Sequence, residues 1–394
     1  MKTKIHIPPG ALLDPFLKAH RRDTQFLLGP GEYYCSGSPE FRDHDWCCLG
    51  PGCELRGAGS GRTTVRAIGG VAKGAYQYEF LTAGSRSSGC DFVAIIGLHL
   101  DVGFDPAPES EEFHSASLPD DVGRVGLHVW SENSIVRNVS VSGIVGHEPR
   151  DGASREGFGI LINQSKPDLG IVGPFDNHLI ENCAVEMTPR AGPDMNFSCG
   201  VYVGLEHPTG ISIARRIRVG NMSTQRCHAA FASNGGVQWG QCENHGRFDR
   251  AIYCDVTGGS DVLWSDCRFH AEREFITLHA GGDGRKEHWR DYLIRDCHIT
   301  MDREASGPYA AIMVLRDLNK KAEVNSFNRV EMRHCTIHNK ATVPTYAGSW
   351  DAKRTAGCGL EHCRWVGNQM LPAIRGELAP GAGFIVGVEK CDEA

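Results

Sequence analysis

The feature that most restricts this chain is a six-residue signature that keeps returning: an apolar residue, a spacer, a polar residue, a small apolar residue that is often Cys, a spacer and an apolar residue. It reads Val136-Arg137-Asn138-Val139-Ser140-Val141, Ile180-Glu181-Asn182-Cys183-Ala184-Val185, Trp264-Ser265-Asp266-Cys267-Arg268-Phe269 and Ile294-Arg295-Asp296-Cys297-His298-Ile299. Further copies occupy 332–337 and 360–365, and weaker ones centre on Leu98, Ile217 and Cys242. From Ile217 to Cys242 to Cys267 the interval is 25 residues each time, and the longer intervals carry inserted loops. A second strand signal lies between the copies, a small residue followed by alternating apolar positions, as in Gly126-Leu127-His128-Val129-Trp130, Gly200-Val201-Tyr202-Val203-Gly204 and Ala251-Ile252-Tyr253-Cys254-Asp255. Residues 229–233 and 311–315 fit that template more loosely. The period is too short for strand-helix-strand units, so the internal repeat itself sets the architecture.

Short strands recurring at one register bury their inward side chains best when each winding lies on the one below. This predicts an all-β, single-stranded, right-handed parallel β-helix. Val139, Cys183, Ile217, Cys242, Cys267, Cys297, Cys335 and Cys363 then form one internal column. The polar residue before each marks a bend, where Asn and Asp accept unusual backbone angles; Asn138, Asn182, Asp266 and Asp296 suit it better than His334 and His362. A β-sandwich with Cys in its core is the competing architecture, but its strands would not repeat one signature in one register. Residues 1–394 are expected to form a single domain, with an N-terminal cap and first coils at 11–65, regular coils at 91–366 and a C-terminal cap or tail at 367–394. A short amphipathic capping helix is expected over 11–22, with Pro15 in its first turns.

Composition narrows the function. A chain with 48 Gly and 19 Pro is turn-rich, and a net charge of −7 argues against a nucleic-acid surface, which needs clustered Lys and Arg. No segment approaches the roughly 20 apolar residues that cross a bilayer, and no signal peptide is visible at the start, so a cytoplasmic location is expected, or a secreted one where a leader has been removed. The 16 Cys recur inside the repeats and are expected to be mostly buried free thiols. His44, Cys47, Cys48 and Cys53 have only loosely zinc-like spacing, and adjacent Cys47 and Cys48 suit tetrahedral ligation poorly, so no metal ligand is assigned. Dinucleotide, Walker and nucleophile-elbow motifs are absent.

The opening resembles a known group. A helix, the strand Gln25-Phe26-Leu27-Leu28 ending in Gly29-Pro30-Gly31, then Glu54-Leu55-Arg56-Gly57-Ala58-Gly59 before Thr63-Thr64-Val65, is similar to the start of pectate-lyase-like β-helix proteins. The likeness runs as pattern from about residue 11 to about residue 366. It implies a carbohydrate partner and one of several chemistries: polysaccharide lyase, glycoside hydrolase, epimerase, fructan-type transglycosylase or phage tailspike. It also implies trimers as a common assembly and calcium as a cofactor of some members. The polygalacturonase carboxylate set is missing, and Gly103-Phe104-Asp105-Pro106 matches only part of the mannuronan epimerase signature.

Equivalent positions of successive coils lie about 4.8 Å apart and form outward stripes. The third residue of the second strand signal gives His128, Tyr202, Phe231 and Tyr253; the fifth gives Trp130, Asn163, Ser233, Asp255 and His279. Such stripes make either a sugar-binding groove or an aromatic ladder that only stabilises the sheet. Asp255 and His279, on adjacent coils, are candidates for a carboxylate-supported proton acceptor, with Tyr253 as a second proton carrier. In the segment entering the Tyr253 strand, Arg247 and His245 are basic candidates, and Asn244 breaks the apolar pattern. Glu206, Asp194 and Asp255 are the carboxylates available for hydrolysis.

The leading expectation is β-elimination next to a uronic acid: Arg247, His279 or Tyr253 takes the C5 proton, Asn163 or Arg247 steadies the carboxylate, and a Tyr or water protonates the leaving oxygen. Hydrolysis or fructosyl transfer by paired carboxylates is the enzymatic alternative. A non-catalytic sugar-binding or virion β-helix is the alternative of another class.

Overall fold

The computed structural model describes residues 2–39, 47–68, 77–84, 90–103, 123–146, 156–163, 177–188, 196–205, 210–254, 258–280, 288–302, 309–317, 326–350, 355–371 and 384–391. They divide into two compact units, Met1–Gly204 with Pro208–His228, and Leu205–His207 with Ala229–Ala394. Both are wound from the same coil of three short strands, each pairing in parallel with its counterpart on the next coil. In the first unit a coil runs through Ile135–Arg137, Ser140–Ile144 and Gly157–Asn163. In the second it runs through Gly259–Ser265, Arg268–Ala271 and Glu274–Ala280. The fold is the right-handed parallel β-helix that the repeats predict. At its start lies a helix over Asp14–Ala19, shorter than expected, with proline in its first turn and Leu17 buried.

The bend between the first two strands explains the signature. Asn138, Asn182, Arg216, Gln241, Asp266, Asp296, His334 and His362 all have φ between 52 and 55°. That left-handed conformation turns the chain sharply and suits Asn and Asp best. The backbone N–H at the bend donates to a carbonyl of the next coil, Asn138 to Glu181 at 3.0 Å and Asp296 to Arg333 at 3.1 Å. The following side chain points inward. Where it is Cys, its thiol donates to the carbonyl two residues back, as in Cys183 to Glu181 (3.3 Å), Cys267 to Ser265 (3.2 Å) and Cys297 to Arg295 (3.1 Å). A cysteine there is thus small enough for the column and still satisfies a carbonyl that the turn exposes. Burial pushes the Cys183 thiol up to about 12, so the column is chemically quiet.

The cores differ in content. In the first unit Ile95, Val136, Ile180 and Ala214 succeed one another in register, and Leu100, Val141, Val185 and Val219 do the same. In the second the equivalent column begins Trp239, Trp264, Ile294, with the two indoles stacked at 4.4 Å. Of the 16 Cys, Cys35 and Cys47 form a disulfide and the others are free thiols. Among the described residues no helix is long and apolar enough to cross a membrane.

Candidate active site in the second unit

Three neighbouring strands of the second unit, Phe248–Cys254, Glu274–Ala280 and Ala310–Asp317, carry a charged cluster on their outer face. Registers fix which residues meet: Arg250 lies opposite Glu274, Tyr253 opposite Thr277, and His279 opposite Arg316. Alternation sends Ile252, Cys254, Ile276 and Leu278 into the core and leaves Tyr253, Thr277 and His279 on the other face.

Glu274, with no exposed side-chain area, is the hub. Arg250 Nε donates to its Oε2 at 2.7 Å, Thr277 Oγ1 to the same oxygen at 2.6 Å, and Arg273 Nη2 reaches Oε1 at 3.1 Å. Arg316 stands 3.9 Å from Oε1. Burial alone would raise this carboxyl, but Arg250 and Arg273 overcome it and hold it at about 2. Asp249, also buried, pairs with Arg250 at 3.0 Å and Arg273 at 3.5 Å. Three arginines thus face two carboxylates, leaving one positive charge in excess; Arg250 is buried with both acids, while Arg273 and Arg316 are 30 and 28% exposed.

His279 sits inside this positive surplus. Its Nδ1 lies 3.4 Å from the Tyr253 hydroxyl, and the two rings meet edge to face at 5.3 Å. The Arg250 guanidinium lies over the Tyr253 ring, 5.0 Å from its centre. Nε2 is buried with no hydrogen-bond partner among the described residues. Burial first, then repulsion by Arg316 and Arg250, lowers the imidazole to about 4, so at neutral pH it is uncharged and free to accept a proton. The buried Trp289 indole donates to the His279 carbonyl at 2.7 Å and pins the backbone beneath it.

The sequence-predicted candidates fare unequally. Tyr253 and His279 are brought together. Asp255, Glu206 and Asp194 lie outside the described residues. Arg247 stands between the strands Glu243–Gly246 and Phe248–Cys254, and its guanidinium is held by Glu272 at 2.6 and 3.1 Å. His245 is exposed on Glu243–Gly246, a strand of the other sheet. Asn244, suspected because it breaks the pattern, points inward and bonds both ways with the His270 backbone, at 2.8 and 3.1 Å, so it is a structural bridge.

Two placements need correction. Phe231 does not face outward: it is fully buried and meets Trp239, Trp264 and Phe269 edge-on at 5.6 to 6.1 Å. Ser233 is likewise internal, its backbone N–H 3.1 Å from the Cys254 sulfur. Residues 229–233 were aligned one place off, and a one-residue slip in a strand exchanges its faces. The loose copy at 311–315 slips in the same way: its third and fifth residues, Met313 and Leu315, are core residues, and the outward positions fall to Val314 and Arg316. That is why Arg316 was missed. Arg250 and Glu274 were missed as well, although a charged residue just before the strand signal on two successive repeats was a readable sign.

The first unit holds the remaining candidates. His128 is completely buried, its Nδ1 2.8 Å from Glu79 Oε1 and its Nε2 3.3 Å from the Asn163 amide. Trp130, almost as buried, packs on the His128 ring at 4.6 Å. His128 and Trp130 therefore work beneath the surface and do not present a face to a ligand. Asn163 and Tyr202 are partly exposed, and Tyr202 stacks with Phe158 at 5.9 Å.

No family model matches the chain, and no curated protein sequence matches it. Solved structures do. The tailspike protein of E. coli bacteriophage HK620, in complex with a pentasaccharide, is similar with a TM-score of 0.62 at 14% identity over 98% of this chain. The catalytic domain of a GH87 alpha-1,3-glucanase in complex with tetrasaccharides is similar with a TM-score of 0.54 at 11% identity over 93% of this chain. The chain spans 59% of the length of each. Stacked three-strand coils, left-handed bends and these neighbours show that the chain has the right-handed parallel β-helix fold.

Proposed function

We propose that the chain is a carbohydrate-active enzyme that cleaves an acidic polysaccharide by β-elimination at the second-unit cluster. The carrying observation is His279: a buried, uncharged imidazole with an unpaired Nε2, touching a tyrosine hydroxyl and bordered by arginines. Nε2, buried in the free chain and uncovered when substrate binds, accepts the C5 proton, the C5–H electrons form the C4–C5 double bond, and the C4–O bond breaks toward the leaving sugar. Tyr253 protonates the departing oxygen, and the His279 Nδ1 proton then returns to the phenolate across the 3.4 Å contact. Arg316, partly exposed beside His279, offsets the uronate carboxylate and the charge that develops on it. Sugar-bound complexes of the two structural neighbours support a saccharide ligand.

Hydrolysis is the second reading, favoured by the glucanase likeness. It needs an acid that carries a proton near neutrality, and Glu274 at about 2 is unsuited to that role. The test is cleavage of a panel of uronans, fructans and bacterial exopolysaccharides with mass analysis of products. Fragments two hydrogens short, absent in His279→Gln, support elimination. Addition of water supports the hydrolytic reading, and intact polymers throughout overturn both.

A further inference from the structure

One cluster of the first unit takes no part in that chemistry. Arg137, Glu181 and Arg215 are direct cross-strand neighbours on three successive coils, in the register Arg137 to Glu181 to Arg215. Arg137 Nε lies 2.9 Å from Glu181 Oε2, and Arg215 holds Oε1 with Nη2 at 2.6 Å and Nε at 2.7 Å. Arg216, from the next bend, reaches the same oxygen. Three guanidiniums converge on one carboxylate.

The balance of charge is uneven. One carboxylate offsets one guanidinium, so the group carries two positive charges in excess, in a chain whose net charge is −7. Burial would raise the Glu181 carboxyl, yet hydrogen bonding and attraction from Arg215, with Arg137 and Arg216, bring it below the usual carboxylate range. The Glu181 side chain is 7% exposed, while those of Arg137, Arg215 and Arg216 are 40, 46 and 47% exposed. Each guanidinium has five N–H donors and spends only one or two on Glu181. Arg216 spends another on Asn182, and the side chains remain nearly half exposed.

Arg216 adds an independent sign. It occupies a left-handed bend, φ 53°, where Asn, Asp, Gln or His stands on other coils and a long charged side chain is disfavoured. Its Nε is aimed by Asn182 Oδ1 at 2.6 Å, and the Asn182 amide in turn donates to Asn138 Oδ1 at 3.2 Å. A ladder of amides thus orients a guanidinium that the backbone would not choose. Neutralising Glu181 requires neither Arg216 nor that ladder.

We infer that Arg137, Arg215 and Arg216 form a second anion site that takes a carboxylate or sulfate group of an acidic sugar chain. The anion site stands on this geometry alone, and the choice of a saccharide ligand rests on the function proposed above. Fork-shaped donors on a rigid sheet suit planar carboxylate and sulfate oxygens held bidentately. The site anchors an acidic sugar chain to the first unit.

The test uses the whole chain in a His279→Gln background, so that little substrate is consumed during the titration. Calorimetric titration with a tetra-uronide, a neutral tetrasaccharide and potassium sulfate alone reads affinity and stoichiometry. Two tetra-uronide sites are expected, one of which weakens roughly five- to tenfold in Arg216→Gln and in Arg215→Gln. Each variant leaves two arginines on Glu181, and an unchanged melting temperature confirms the fold; Arg216→Lys restores part of the affinity. If only the first-unit site binds, the function proposed for the second unit fails and this inference stands. A stoichiometry and affinity untouched by both glutamine variants overturns it. Binding of sulfate without tetra-uronide, or tighter binding of duplex DNA at equal ionic strength, overturns the saccharide assignment.

Discussion

The two units each bury a histidine on the outer face of the third strand stack, and the surroundings give the two rings opposite fates. His128 in the first unit has both nitrogens engaged, by Glu79 and by Asn163. His279 in the second has one nitrogen near a hydroxyl and the other unpaired, with Arg316 and Arg250 outweighing Glu274 among its charged neighbours. A satisfied histidine contributes to structure. An unsatisfied buried one costs stability, and an arrangement that retains it beside a tyrosine is one that stores proton-accepting capacity.

The contrast can be broken experimentally, most severely at the hub. Glu274→Gln leaves the buried Arg250, and Arg273 beside it, with Asp249 as their remaining carboxylate and is expected to destabilise the chain by about 3 kcal/mol in denaturant titrations. A shift well under about 1 kcal/mol would mean that the arginines reach solvent. Next, His279→Gln should lower turnover by a factor of about 10² to 10⁴ with little change in stability, measured on whichever uronan is cleaved.

Acid sharpens the same point. His279 ionises at about 4 in the folded chain against 6.5 when free, so as pH falls the unfolded chain takes up this proton first. Its contribution to stability is intact above 6.5 and declines toward about 4, by about 3 kcal/mol in all. The acid limb of turnover belongs near 4; a limb near 6.5 would contradict an imidazole kept neutral by its surroundings. A smaller effect is expected in the first unit. His128→Gln keeps a donor toward Glu79 and should cost about 1–2 kcal/mol while turnover stays unchanged. Loss of turnover equal to that of His279→Gln would erase the distinction between the two rings.

The scaffold was legible in the chain because the bend demands a rare backbone angle and an inward small residue at once, and that pair of demands leaves a mark such as Asp296-Cys297. The outward faces were harder to read. Strands such as 229–233 and 311–315 are apolar at nearly every position, so nothing in their composition says which residues face the core. Phe231 was therefore placed outside and Arg316 overlooked. Tyr253 and His279 are legible because their strands alternate cleanly, whereas Arg250 and Glu274 stand just ahead of the alternating positions, although both lie within strands.

The thiols that close the bends have one more consequence. Each is walled in by its own winding, so an alkylating reagent reaches Cys183, Cys267 or Cys297 only after that winding has come apart. The order in which these sulfurs acquire label, read as mass on peptides, is then a map of fraying along the spiral.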